Sequence, residues 1–307
     1  MSYQFSPQSN FTGAPGEAAT PAPPRAGRFA NTRGIGAVRA VYRVLCQWVP
    51  GIAARLAYAQ LARPPRPPLN ERHLALRKRA RVWRVSAGRH KLAVYEWGEG
   101  PTILMVHGWG SHATHMGRMI GPLVDAGFRV VAFDAPAHGH SSGGATDLVQ
   151  FANAVSAVGK HVGPLHCVIG HSFGAAMAMY AARDWGLAPG KMVLISSFNH
   201  CNWFLQMFAQ HVGLSAPVLD RMRQMLSRLY GGRLKWSHMS VLEMARQAAF
   251  PMLFVHDEND QEVPFDHSLQ MVAALKAGQF KSTSGLGHHR VVRHPDVIRR
   301  VVAFAER

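Results

Sequence analysis

The stretch Val168-Ile-Gly-His-Ser-Phe-Gly-Ala-Ala176 decides how the rest of the chain is interpreted. β-Branched residues lead into it and helix-forming sequence follows it to about Trp185, which indicates a strand, a tight turn and a helix. Ser172 stands at the turn, spaced Gly-x-Ser-x-Gly between Gly170 and Gly174. A β-carbon at either glycine would collide across so sharp a turn. The pattern predicts a serine hydroxyl projecting from a sheet edge; the alternative is a chance serine in a glycine-rich loop.

The composition is ordinary for a globular enzyme, with 307 residues, 48% of them hydrophobic and 9% aromatic. Apolar runs are interrupted by arginine or proline before they reach membrane-spanning length, so we expect no transmembrane helix. Residues 1–20 lack the cationic start and apolar stretch of a secretory signal, so none is expected. The three cysteines, Cys46, Cys167 and Cys201, have no redox or metal-ligand spacing. We therefore expect buried or free thiols in a reducing, cytoplasmic compartment.

The net charge of +17 is concentrated at the N-terminal end. Residues 1–91 contain 16 lysines and arginines against Glu17 and Glu71, whereas residues 92–307 contain 18 against 15 acidic residues. Because the body is nearly neutral, it is not expected to bind nucleic acid. Residues 1–34 are rich in Pro, Gly, Ala, Ser and Thr without hydrophobic periodicity, which predicts a disordered tail.

Residues 35–80, called the N-terminal arm below, predict two short helices and a stiff linker. Apolar residues recur at helical spacing on both sides of Pro50-Gly51, where a break is expected. Arg63-Pro-Pro-Arg-Pro-Pro68 is the linker, and Arg77 to Arg81 predicts a solvated basic run. Two interpretations stay open. The helices pack on the body, or residues 37–91 form a basic amphipathic element on an anionic surface such as that of the inner membrane.

Residues 81–307 predict an α/β fold. Arg81 to Val85 and His90 to Trp97 alternate apolar and polar residues around Ala87-Gly88, which indicates an antiparallel hairpin. Six further strands are expected at Thr102–His107, Arg129–Phe133, Leu165–Gly170, Met192–Ser196, Pro251–His256 and Gln279–Ser282. Helices are expected near Met116–Ala126, Leu148–Val162, Phe173–Trp185, Asp266–Ala277 and Pro295–Glu306. This order predicts a mostly parallel central sheet with helices on both faces. Residues 199–249, which lack a convincing strand, predict a helical lid insertion.

A serine nucleophile needs a base to take its proton and a carboxylate to orient that base. Carboxylates are scarce after Ser172, and the cluster that follows the strand ending at His256 is best placed. Asp260 is the preferred acid, and Asp257 is the alternative. Gly285-Leu-Gly-His-His289 follows the last strand, and its glycines allow the loop to fold back toward the serine. His288 is the preferred base, with His289 as its solvent-facing neighbour.

A tetrahedral intermediate needs two hydrogen-bond donors for its oxyanion. The backbone N–H of Phe173 is one candidate, and that of Trp109, in His107-Gly-Trp-Gly110, is the second. The histidines lack metal-ligand spacing backed by carboxylates, so we expect neither a metal nor a cofactor.

Together these motifs resemble the α/β-hydrolase fold superfamily. The matching stretches, which fall in the family's order over roughly residues 85–307, are His-Gly-Trp-Gly at 107–110, Phe-Asp-Ala-Pro-Ala-His-Gly-His-Ser at 133–141, Gly-His-Ser-Phe-Gly at 170–174, His-Asp-Glu-Asn-Asp-Gln-Glu-Val-Pro at 256–264 and Gly-Leu-Gly-His at 285–288. The resemblance implies a Ser172-Asp260-His288 triad, with Trp109 and Phe173 as oxyanion donors. Ala137 and Asp257 stand where the family commonly has glycine.

The resemblance implies a serine hydrolase that acts on a small-molecule ester or thioester through an acyl-enzyme. The Met- and Phe-rich lid favours a hydrophobic acyl or alcohol group, and the acyl group is the preferred choice. Serine instead of aspartate at the turn speaks against the dehalogenase and epoxide-hydrolase branches. A catalytically silent hydrolase fold that serves as a binding or membrane-associated module is the alternative.

Overall fold

The computed structural model describes residues 34–275 and 278–307, and its central element is one eight-stranded sheet. The strands are β1 (Arg81–Ala87), β2 (His90–Trp97), β3 (Thr102–Val106), β4 (Arg129–Phe133), β5 (Leu165–His171), β6 (Met192–Ile195), β7 (Met252–Asp257) and β8 (Gln279–Thr283). They lie in the order β1-β2-β4-β3-β5-β6-β7-β8. The hairpin β1–β2 and the pair β2–β4 are antiparallel, and the remaining pairs are parallel. The predicted α/β-hydrolase fold is therefore confirmed, whereas the predicted disordered tail lies almost entirely outside the described residues.

The helices are α1 (Ile35–Trp48), α2 (Pro50–Leu61), α3 (Glu71–Lys78), α4 (Ile120–Asp125), α5 (Leu148–Val162), α6 (Phe173–Asp184), α7 (Cys201–Val212), α8 (Ala216–Leu229), α9 (Val241–Gln247), α10 (Asp266–Ala273), α11 (Gly287–Arg290) and α12 (Pro295–Glu306). Helices α5, α6 and α12 lie within one residue of their predicted bounds, whereas the helix predicted near Met116–Ala126 begins at Ile120. The predicted end at Ala277 lies outside the described residues, and two short helices, α3 and α11, have no counterpart in the prediction. Helices α5 and α6 cover one face of the sheet, and α4 and α12 cover the other.

The central strands are buried on both faces, as expected for parallel strands between two helical layers. In β3, Leu104 and Val106 pack into the core beneath α5 and α6, whereas Ile103 and Met105 pack toward α4 and α12. This alternation follows from the two-residue period of a strand. Because both sides of the sheet are covered by helices, a site for small molecules can form only at the strand ends.

Helices α1 and α2 of the N-terminal arm pack against the segment between β6 and β7, residues 199–249, which is called the β6–β7 segment below. Helices α1 and α2 share an apolar cluster with α7 and α8, which contains Tyr42, Ala53, Ala54, Ala57, Leu205, Phe208, Ala209, Val212, Val218, Leu219 and Met222. The helical conformation is interrupted at Val49, between α1 and α2, and Pro50 is the first residue of α2. Proline is tolerated in a first helical turn because its missing N–H would have no partner there. Across the described ranges, no helix has the length and apolar character needed to span a membrane.

One sequence expectation about the arm is wrong. Arg77, assigned to a solvated basic run, is buried, and its guanidinium makes two hydrogen bonds, 3.0 and 2.8 Å long, to the carboxylate of Asp134. It also donates to the hydroxyl of Tyr95. The bidentate pair attaches α3 to the loop after β4, and a buried arginine is retained only when it is paired in this way. In the same loop, Ala137 has φ 62°, which explains why glycine is common there.

Candidate active site

Ser172 occupies a strained turn at the carboxyl end of β5. Its backbone angles, φ 54° and ψ −124°, lie in a region that residues with a side chain rarely adopt. A Cβ at Gly170 would clash with the backbone of Ala175, and a Cβ at Gly174 would clash with the carbonyl oxygen of His107. Both glycines are therefore required by close approach, as the sequence predicts. Ser172 itself is only half-buried and can meet a ligand.

The loop after β3 runs directly beside this turn. A Cβ at Gly108 would lie 3.3 Å from the Cβ of Ser172. The indole ring of Trp109 packs edge-to-face on the ring of Phe173, with centroids 5.0 Å apart. The N–H of Gly110 donates to Nε2 of His138 over 3.0 Å, which holds the loop in place. The structure thus brings the two candidate oxyanion donors to the same place as Ser172.

Asp260 and His288 are joined directly. Nδ1 of His288 lies 2.7 Å from Oδ2 of Asp260, and both residues are buried. The other carboxylate oxygen of Asp260 accepts the backbone N–H groups of Glu262 and Val263. Burial alone would raise the pKa of Asp260, but its hydrogen bonds to His256 and His288 outweigh burial and hold the pKa well below its usual range. The side chain of Asp260 is therefore ionised at neutral pH, and it lies beside the imidazole of His288.

Asp257, the alternative acid, has a different position. Its carboxylate accepts the backbone N–H groups of Leu286 and Gly287 and the hydroxyl of Thr283, at distances of 2.7 to 3.0 Å. Burial would raise the pKa of Asp257, yet these hydrogen bonds, led by that of Gly287, lower it. Asp257 therefore anchors the loop that carries His288, and it is Asp260 that lies beside the imidazole.

His288 contacts His171, the residue immediately before Ser172 in the turn. Nε2 of His171 lies 3.0 Å from the backbone oxygen of His288, and the two rings are 4.7 Å apart. His289 points elsewhere, with Nε2 2.9 Å from a carboxylate oxygen of Glu262. The structure thus joins Asp260 to His288 directly and the Ser172 turn to His288 through His171.

Several further histidines around the site are buried, and no local sequence pattern indicates this arrangement. Burial, reinforced by neighbouring histidines, lowers the pKa of His115 and His171 well below the usual value. Burial likewise lowers the pKa of His107, and that of His138 to about 3. These rings are neutral at pH 7 and add no positive charge beside His288. Among the described residues, no group of three His, Cys, Asp or Glu side chains could hold a metal ion.

A pocket of about 370 Å³, counting the space at its mouth, lies beside Trp109 and Phe173. Its lining is almost entirely apolar and comes from three regions of the chain: the arm (Tyr58, Leu61, Ala62), the β6–β7 segment (Cys201, Phe204, Leu205, Leu226) and the start of α5 (Thr146, Asp147, Leu148). Sequence reasoning missed the arm's contribution because nothing local in residues 58–62 indicates contact with a loop almost fifty residues later. The arm is part of the pocket wall.

Comparison with known proteins gives a consistent result. The model of the alpha/beta hydrolase family matches residues 103–301. The chain is 24% identical over 249 residues to a non-heme haloperoxidase of Rhodococcus erythropolis, covering 66% of this chain and 91% of that protein. It is 27% identical over 258 residues to a bifunctional esterase/perhydrolase of Acinetobacter calcoaceticus, covering 68% and 94%.

Among solved structures, the chain is similar to an esterase of Pyrococcus furiosus, Pf2001. The TM-score is 0.61 at 20% identity, and the match covers 80% of this chain and 97% of that one. The region matched by the family model begins at β3, so the N-terminal arm lies outside it.

Proposed function

The chain belongs to the α/β-hydrolase family, and we propose that it is a serine hydrolase that cleaves esters or thioesters of an apolar acyl group. The observation that carries this proposal is the 2.7 Å contact between His288 and Asp260 at the sheet edge where Ser172 occupies its strained turn. A carboxylate that holds one nitrogen of an imidazole leaves the other nitrogen as a base for a nearby hydroxyl. The names of the esterase relatives support the same class of reaction.

In the proposed mechanism, Oγ of Ser172 attacks the acyl carbonyl carbon while Nε2 of His288 takes the hydroxyl proton. Asp260 keeps the proton on Nδ1 and stabilises the imidazolium that forms. The backbone N–H groups of Trp109 and Phe173 bind the oxyanion, and each such donor lowers the barrier by roughly 3 kcal/mol. His288 then donates this proton to the departing oxygen or sulfur, which leaves as the alcohol or thiol. A water molecule, deprotonated by His288, attacks the acyl carbon, and His288 returns the proton to Oγ of Ser172 as the carboxylic acid leaves.

The apolar pocket supports the choice of acyl group. It adjoins Phe173, the residue after the proposed nucleophile, and its walls are aliphatic and aromatic side chains such as Leu61, Phe204 and Leu226. An acyl chain transferred from water into such a pocket gains about 0.8 kcal/mol per buried methylene. In this proposal the β6–β7 segment acts as the lid over the acyl chain.

Substitution of the serine tests the proposal. Ser172→Ala should lower kcat for short p-nitrophenyl esters by roughly 10⁴-fold or more, because the attacking oxygen is lost. Ser86→Ala, an exposed position on β1, serves as the control and should keep the parent's rate. If Ser172→Ala were as fast as the parent, Ser172 would not be the nucleophile. If the parent itself cleaved none of the esters, the alternative of a catalytically silent binding module would be favoured.

A further inference from the structure

Helix α1 is apolar on two sides, and only one of them is covered by protein. Val38, Tyr42 and Leu45 face the apolar cluster shared with α7 and α8. Val41, Val44 and Trp48 lie roughly a third of a turn away around the helix and are 56%, 58% and 73% exposed. Ile52 and Leu56 of α2, 49% and 48% exposed, continue this surface. These five residues, 41, 44, 48, 52 and 56, are called the outer apolar face below.

The exposed apolar side chains of the molecule are concentrated here. Of the ten large hydrophobic residues that are exposed in the described part of the chain, six lie between residues 41 and 56. Singly scattered exposed hydrophobic residues are normal on a protein surface, but a cluster marks an interaction surface. The packing of α1 and α2 on the β6–β7 segment does not account for it, because that packing uses other residues of both helices.

The positive charge around the outer apolar face favours an anionic partner. Residues 35–70 contain five arginines, at 39, 43, 55, 63 and 66, and no aspartate or glutamate. Arg43 and Arg55 are exposed and adjoin Val44 and Leu56 in the sequence. Arg39 and Arg66, by contrast, donate to backbone oxygens of the body. Apolar side chains with a tryptophan, bordered by arginines, are what a helix needs to lie in the headgroup region of an anionic bilayer.

From these observations we propose that the outer apolar face docks on the surface of an anionic lipid bilayer, with α1 and α2 lying in the membrane plane. The apolar side chains enter the boundary between headgroups and acyl chains. The exposed side chains of Arg43, Arg55 and Arg63 contact anionic headgroups. Neither helix crosses the bilayer, since α1 has 14 residues and α2 has 12.

The same helix connects the membrane to the pocket. Ile52 and Leu56 lie on the outer side of α2, whereas Tyr58, Leu61 and Ala62, near its carboxyl end, line the acyl pocket. The membrane and the pocket are therefore separated by about one helix diameter, roughly 10 Å. If the proposed function holds, the substrate class is an ester of a long-chain fatty acid dissolved in the bilayer, whose acyl chain enters the pocket with little exposure to water.

Vesicle co-sedimentation of the full chain tests the docking. Vesicles of phosphatidylcholine alone are compared with equimolar phosphatidylcholine and phosphatidylglycerol, at low and high salt. The test variant is Val44→Glu/Trp48→Glu. The control, Val82→Glu/Leu269→Glu, makes the same change of charge at two exposed apolar positions outside the arm. The parent and the control should bind the anionic vesicles and be released by salt, and the test variant should bind at least roughly tenfold more weakly.

Two results would overturn the docking proposal. One is a parent that binds neither kind of vesicle, or both equally. The other is a test variant that binds as well as the control. If the parent were a dimer that Val44→Glu/Trp48→Glu converts to a monomer, without vesicle binding, a second copy of the chain would be the occupant and the proposal would be wrong.

Hydrolysis assays separate the docking from the proposed function. The test variant should keep the parent's rate on a water-soluble short ester, because its changed residues lie outside the pocket, and lose roughly tenfold or more on a long-chain ester carried in anionic vesicles. Equal loss on both substrates would contradict the assignment of the outer apolar face to docking. A parent inactive on both would refute the hydrolase proposal, while the vesicle-binding result would still decide the docking.

Discussion

The carboxyl edge of the sheet and the N-terminal arm are held in place by different kinds of contact. At the edge, Asp257 and Asp260 are surrounded by backbone N–H groups, hydroxyls and imidazoles at 2.7 to 3.0 Å. Helices α1 and α2 of the arm, by contrast, pack on the β6–β7 segment mainly through small and apolar side chains, with Ala53, Ala54 and Ala57 at the centre of the contact.

This difference separates two roles. Hydrogen bonds are directional, so the edge holds the imidazole of His288 in one orientation relative to Asp260. Apolar contacts are not directional, so the arm and the β6–β7 segment define the shape of a cavity and leave the reacting groups untouched. We therefore expect changes at the edge to alter the rate of the reaction, and changes in the arm to alter the choice of substrate.

The largest effect on kcat should come from Asp260, and the neighbouring carboxylate of Asp257 provides the comparison. Asp260→Asn should lower kcat on a short ester by roughly 10³- to 10⁴-fold, because the amide cannot hold His288 in the required tautomer. Asp257→Asn should destabilise the loop by about 1–2 kcal/mol and change kcat by no more than roughly tenfold, because it removes part of an anchor. Steady-state kinetics and denaturant unfolding of both variants measure this. Equal losses of kcat would show that the two carboxylates have been assigned the wrong roles.

An intermediate effect is expected from the arm's wall of the pocket. Leu61→Trp should fill part of the cavity, so that kcat/KM for long acyl chains falls roughly 10- to 100-fold relative to short ones. Leu74→Trp, at an exposed position on α3, is the control and should leave the chain-length profile unchanged. The comparison is made over a series of p-nitrophenyl esters of increasing length. If the profile of Leu61→Trp matched that of the parent, the arm would not line the acyl site.

The smallest effect concerns pH and stability. His107, His115, His138 and His171 have lowered pKa values in the folded state because they are buried. Below about pH 6.5, the ordinary value for histidine, the unfolded chain therefore binds more protons than the folded one. The free energy of unfolding should fall as the pH drops below that value, by about 1.4 kcal/mol per pH unit for each such histidine.

Denaturant unfolding at several pH values measures this slope. His115→Gln should reduce it by about one proton's contribution, and His161→Gln, an exposed position on α5, controls for the substitution itself. Helices α1 and α2 contain no histidine and add nothing to this acid response, whereas His73 of α3, whose pKa is also lowered by burial, adds to it. A stability that stayed constant or rose toward pH 5 would contradict the neutral state of these rings.

The contrast between edge and arm also explains what the sequence could predict. Local patterns sufficed for the sheet: the sequence predicts β4 at Arg129–Phe133, where the structure has it, because a short β-branched run between turn residues is typical of a buried strand. The pattern Gly-x-Ser-x-Gly predicted a turn whose steric requirements are local. Both features depend on residues close together in the chain.

What the sequence could not predict depends on partners far along the chain. Arg77 belongs to a run of basic residues, and its burial follows only from Asp134, 57 residues later. Asp257 ends β7 and Asp260 lies three residues later. They differ in their partners: Asp257 binds the loop before His288, and Asp260 binds the imidazole ring of His288. Leu61 reaches the pocket only because α2 packs on α8. Local periodicity carries no information on any of these contacts.

The central claim, that Ser172 is a nucleophile activated by His288, is tested most directly by covalent labelling. Folded protein is incubated with a fluorophosphonate, and the adduct is located by mass spectrometry of the intact chain and its peptides. The account predicts one adduct, on Ser172, that is lost in Ser172→Ala and forms far more slowly in His288→Ala. An unlabelled parent, or labelling of Ser172 at the same rate in His288→Ala, would contradict it.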